Sequence, residues 1–68
     1  MNNIEETIHL ELANTDLAVR NYKKDNSHLY RTSLESCINK LNILLIEYNG
    51  SMKSTYEYML NNYSSYLK

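Results

Sequence analysis

Residues Leu34 to Tyr48, LESCINKLNILLIEY, hold the longest run with a clear helical period. At about 100° per residue, Leu34, Cys37, Ile38, Leu41, Leu44, Leu45 and Tyr48 fall within an arc of about 120°. Within it Leu34, Ile38, Leu41, Leu45 and Tyr48 step by four and three residues in alternation, the seam rhythm of a helix in a bundle. Ile43 and Ile46 break the pattern. They project to the flank and back of the helix, where a chain with one buried stripe should be polar.

Working back toward the N-terminus, nothing between Ile4 and Lys24 breaks a helix. Ile4, Ile8, Leu12, Thr15, Ala18, Val19 and Tyr22 share one face. A second stripe of Leu10 and Leu17, with Ala13 beside them, lies well away from it. Asn3 and Glu6 match a capping box, and Glu5 and Glu6 suit the positive end of the helix as Lys23 and Lys24 suit the negative one. Glu11 falls on the edge of the main face, where a carboxylate must reach solvent or a partner. Asp25-Asn26-Ser27-His28 reads as a turn. The central helix then starts at Ser27, or at Thr32 with Glu35 as a second capping box. The earlier start is preferred because Tyr30 already lies on the apolar arc.

Beyond the central stretch, Gly50 is the only glycine and stands where a left-handed helix cap is expected. A third helix begins at Ser51 or at Ser54, the latter matching a capping box with Glu57. Met52, Tyr56, Met59, Leu60, Tyr63, Tyr66 and Leu67 share its apolar arc, while Tyr58 projects away. Every period is helical and none is that of a strand. Two helices of about 20 residues, each about 30 Å long, joined by a short polar turn, predict an antiparallel hairpin. The expected architecture is all-α, one small domain over residues 1–68. It consists of that hairpin (about 3–24 and 28–49) plus a shorter third helix (about 52–67), closing a three-helix bundle.

Length and composition bound the function. A chain of 68 residues buries a modest core and has no disulfide, having one cysteine. Cys37 sits on the apolar arc with no basic neighbour to activate it, and reads as a small buried hydrophobe. One unpaired cysteine fits a reducing, cytoplasmic setting. The net charge of −1 comes from interspersed acids and bases, so no basic face is offered to nucleic acid. The longest apolar run, Ile43 to Ile46, is far too short to cross a membrane. No basic segment followed by an apolar one suggests a signal peptide.

Chemistry-bearing patterns are sparse. Glu6 and His9 form one Glu-x-x-His, where carboxylate-bridged metal sites need two such pairs and further glutamates. It reads as a surface pair, and no metal or cofactor is expected. Asp25 with His28 reads as a turn. A single glycine excludes a phosphate-cradling loop, and no serine stands in a triad context. No catalytic residue is therefore assigned. What the pattern offers is exposed apolar surface. Leu10 and Leu17, the off-face Ile43 and Ile46, and Tyr58 are the candidate partner-binding residues. In a hairpin turning near Asn26, Leu10 lies roughly level with Asn42, so these hairpin residues gather toward the open end.

Two family resemblances bear on this. Leu41 to Tyr48 (LNILLIEY) resembles the end of the second helix in the small sporulation aspartyl-phosphate phosphatases. That family carries Ser-Gln-Glu-Leu-Asp where this chain has Ile38-Asn39-Lys40-Leu41-Asn42, so its acidic residues are missing. The resemblance implies a regulator acting on a response regulator, with Asn39 and Asn42 at the matching positions. Ile4-Glu5-Glu6-Thr7-Ile8, Lys23-Lys24-Asp25 and the central helix resemble the small co-chaperones of type III secretion needle subunits. These are hairpins that hold a protein partner through apolar faces, and the third helix is extra to that pattern. The residues and the second resemblance together imply a non-enzymatic interaction module, an adaptor, small chaperone or inhibitor. Its partner is a foreign protein or a second copy. The phosphatase-like regulator and a self-assembling structural bundle are the alternatives.

Overall fold

A computed structural model describes residues 4–68 and contains three helices: α1 (Ile4–Lys24), α2 (His28–Glu47) and α3 (Lys53–Ser65). No strand occurs among the described residues. The fold is the expected all-α hairpin with a shorter third helix packed on it.

The turns follow from local chemistry. Glu5 and Glu6 occupy the first turn of α1 and Lys23 and Lys24 its last, each opposing the sign of the helix dipole there. Asn3 lies outside the described residues, and with it the expected first capping box. Asp25 Oδ1 accepts from the Ser27 backbone N–H at 3.1 Å. Ser27 is extended (φ −63°, ψ 157°) and its hydroxyl accepts from the Tyr30 N–H at 3.4 Å, so the earlier of the two expected starts of α2 is the observed one. Thr32 is one turn inside α2, near His28 Nε2 at 3.4 Å, and Asp25 makes its contact to the backbone of Ser27, not to His28.

The second turn corrects three expectations. The helix α2 ends at Glu47, with Tyr48 an extended cap (φ −89°, ψ 130°). No glycine has a positive φ among the described residues, so Gly50 is not a left-handed cap. The helix α3 starts at Lys53 behind Met52, which makes no side-chain capping bond, so the Ser54–Glu57 box is not formed. Met52 and Tyr66 lie outside the helix they were assigned to and are 41% exposed each, off the core arc.

The core has two linked clusters. At the open end of the hairpin Ile8, Leu12, Leu41, Leu45, Tyr48, Tyr56 and Leu60 pack together. Toward the α1–α2 turn Ala18, Val19 and Leu34 pack with Tyr22, Cys37 and Leu67. Ile38 and Tyr63 touch both clusters and join them. Thr15 is fully buried at the centre, and its hydroxyl is satisfied by donating to the Glu11 carbonyl at 2.6 Å. Since Tyr56 and Leu60 meet the open end and Leu67 the turn end, α3 runs back along one side of the hairpin.

Polar ties hold α3 at both ends. The Tyr56 hydroxyl and His9 Nε2 share a hydrogen bond at 2.8 Å, with the two rings edge to face, 5.5 Å between centroids. The Tyr48 hydroxyl donates to the Glu5 carboxylate. At the far end Arg31 donates to the Tyr22 hydroxyl (3.1 Å) and to the Leu67 carbonyl (2.9 Å), with Glu35 at 3.4 Å from Nε. One guanidinium thus ties α1 and α2 to the turn that follows α3. Arg31→Ala is expected to cost about 1–2 kcal/mol in urea unfolding, the worth of charge-assisted bonds at a half-buried site. Arg31→Lys should recover little, because an ammonium lacks the planar fork that reaches both oxygens. Hydrogen exchange localises the effect: the amides of Tyr66 and Leu67 should lose protection before those at the centre of α1 and α2.

Candidate protein-interaction surface

The third helix covers one side of the hairpin and leaves the other open. On α1, Asp16, Val19 and Arg20 face α3, where with Lys23, Asn62, Tyr63, Ser65 and Tyr66 they line a concavity of about 440 Å³. Its charges are already engaged. Arg20 pairs with Asp16 at 3.0 Å, and Lys23 Nζ lies 5.5 Å from the centre of the Tyr66 ring. At 100° per residue, Thr7 and Glu11 project from the opposite flank of α1. Together with Lys40, Ile43 and Leu44 of α2 they line a shallow, mainly apolar groove of about 270 Å³ that no α3 residue touches. The shared groove puts residues 7–11 level with residues 40–44, the register expected of a hairpin turning near Asn26.

The five candidate residues can now be placed. All are more than half exposed, from 58% at Leu17 to 70% at Ile46. Ile43 lines the groove, and Ile46 adjoins it one turn on, along the outer side of α2. Leu10 does not line the groove: turned 100° from Glu11 around the helix, it projects from the outer flank of α1. Leu17 lies two turns farther toward the α1–α2 turn. Tyr58 is not brought to this surface: it projects from the side of α3 opposite Tyr56 and Leu60, the residues that pack α3 on the hairpin. One exposed residue escaped the sequence reading. Leu29 is the most exposed large apolar side chain, at 73%. It stands 14 residues before Ile43, four turns on the same face. The signal was present, but Leu29 precedes the apolar arc and belongs to no local stripe.

The titratable groups in the core are held in their protonated forms. The Tyr48 hydroxyl is raised above its usual range chiefly by its hydrogen bond to Glu5 and then by burial. Burial raises Tyr56, with the Glu5 charge adding to it, and burial raises Tyr63, with Asp16 adding. A raised tyrosine binds its proton more tightly folded than unfolded. Its stabilising effect is full below pH about 10 and lost as pH climbs through the folded values. None of these shifts moves a tyrosine toward neutral pH, where it could exchange protons with a substrate.

His9, of the Glu-x-x-His pair, uses Nε2 for Tyr56, and no three His, Cys, Asp or Glu side chains among the described residues converge as a metal would need. Asn39 and Asn42, at the positions matching the phosphatase resemblance, are both exposed on α2. No helix among the described residues is long and apolar enough to cross a membrane. No protein-family model, curated protein or solved structure matches this chain.

Proposed function

We propose that this protein is a non-enzymatic interaction module, an adaptor, small chaperone or inhibitor, that docks a protein through the hairpin side left open by α3. The observation that carries this reading is the exposure of Leu10, Leu17, Ile43 and Ile46 after α3 has packed. A third helix would bury such a second stripe if the stripe were core, yet it lies elsewhere. Large apolar side chains left exposed on a helix face lower the free energy of a chain only when another surface covers them. Helix faces offering apolar anchors three and four residues apart are a common docking mode.

The test is a photo-reactive residue at position 46, compared with one at Lys53 on α3, in cells that produce the protein. Cross-links to a defined protein, or to the chain itself, should form at position 46 and not at 53. Ile46→Asp should abolish that association and leave the unfolding midpoint within about 0.5 kcal/mol, as expected of an exposed site. If Ile46→Asp leaves folding and every association unchanged, the reading is wrong.

A further inference from the structure

Two charges flank the open groove without partners. Glu11 stands on its α1 wall and Lys40 on its α2 wall. The ion pairs among the described residues are Asp16–Arg20 and Arg31–Glu35, so neither Glu11 nor Lys40 has an opposite charge within ion-pair distance. Glu11 is also half-buried, which makes an unpaired carboxylate there less comfortable. Helical phase turns Leu10 outward from Glu11 on α1 and Ile43 outward from Lys40 on α2, where Ile43 also lines the groove. An apolar side chain and one charge lie on each side, and the charges are opposite in sign.

That arrangement is self-complementary about one axis. A two-fold along the groove sets α1 of one copy over α2 of the other, antiparallel and at the same level. Lys40 of each copy then faces Glu11 of its partner, and Leu10 of each faces Ile43 of its partner. Both charge pairs and both apolar pairs are matched by a single operation, as an isologous interface requires. A two-fold across the helices does not do this, because it stacks α1 on α1 and α2 on α2 and leaves Glu11 and Lys40 without each other. We infer that the occupant of the open hairpin face is a second copy of this chain, paired in this way as a symmetric four-helix seam. The inference rests on reading that face as a docking surface, and it names the partner.

Size sets the strength. Two helices about 30 Å long and about 10 Å across present a face of about 600 Å², somewhat below the ~800 Å² per partner of a standard stable interface. The dimer should therefore be reversible and concentration-dependent, and it should weaken with salt.

The experiment is sedimentation equilibrium of the full chain from about 10 µM to about 1 mM, where affinities of this order are read. The chain is expected to pass from monomer to dimer over that range. Lys40→Glu and Glu11→Lys each turn two facing pairs into like charges, and each should raise the dissociation constant about tenfold or more. Mixed in equal amounts, the two variants regain two attractive pairs per heterodimer, so dimer should reappear at wild-type concentrations. Far-UV circular dichroism should show each variant folded. A wild-type chain that stays monomeric at about 1 mM overturns the inference, and so does a mixture that fails to re-associate. A dimer indifferent to both substitutions also overturns it, because the contact then lies on another face. In each of those cases the docking reading still stands if the residue-46 cross-links point to a different protein, and falls separately if they do not form.

Discussion

Tyr56→Ala should leave the chain largely unfolded at 25 °C. Tyr56 is 2% exposed and the largest fully buried side chain. Its ring touches that of Tyr48, centroids 5.4 Å apart, and that of His9, and it packs in the cluster of Ile8, Leu12, Leu41, Leu45 and Leu60. Truncating a buried aromatic costs about 3–5 kcal/mol through lost burial and the cavity left behind. A single core in a chain of this length supplies about 3–5 kcal/mol in total. The two figures cancel, so circular dichroism should show most of the helical signal lost without denaturant. Tyr56→Phe isolates the hydroxyl. It keeps the ring and gives up only the bond to His9 at a half-wet site, so it should cost about 1 kcal/mol and remain cooperative. If Tyr56→Ala unfolds cooperatively at the wild-type midpoint, α3 contributes nothing to the stability of the hairpin and the bundle description fails.

The reasons some elements were legible and others were not lie in where the information sits. Helix identity was readable because each helix carries its own period: Ile8, Leu12, Thr15, Ala18 and Val19 on α1, Leu34, Leu41 and Leu45 on α2, and Tyr56 and Leu60 on α3 are the buried residues of their elements. The hairpin register was readable because the polar turn is short and the two helices are matched in length. The start of α3 was not. Ser54 with Glu57 satisfies the capping pattern, but packing fixes Tyr56 and Leu60 in the core, and the helix is entered two residues earlier through Met52, with no side-chain cap. Tertiary contacts outweighed a local bond worth about 1 kcal/mol. The exposed stripe was visible as a departure from one-sided amphipathicity. What no single helix reveals is that Glu11 and Lys40 face one groove. The two residues are far apart in sequence, and only the packing of α1 on α2 brings them together.

Gly50 shows the same limit in a form that one experiment can resolve. A lone glycine just after a helix suggests a left-handed residue, yet its φ is not positive. The requirement is space. A Cβ at this position would come within 2.6 Å of Tyr48 Cε1, and closer still to the ring carbon bearing the hydroxyl and to the hydroxyl itself. Tyr48 folds back over the turn, buried against Tyr56 and donating to Glu5, so its ring cannot move aside without leaving the core. Gly50→Ala is therefore expected to destabilise the fold by about 1–3 kcal/mol, the cost of overpacking, less a few tenths regained from the stiffer unfolded chain. The double-mutant cycle with Tyr48→Leu, which removes the ring but keeps an apolar side chain in the core and with it a measurable midpoint, separates the two origins. Once the ring is gone, Gly50→Ala should become neutral or stabilising by about 0.4–1 kcal/mol, as alanine is wherever the backbone is unstrained. A left-handed backbone would penalise alanine equally with and without the ring. Urea midpoints of the four proteins, wild type, the two single variants and the double variant, decide between them. Strong non-additivity assigns Gly50 to the close approach of Tyr48, and additivity assigns it to the backbone.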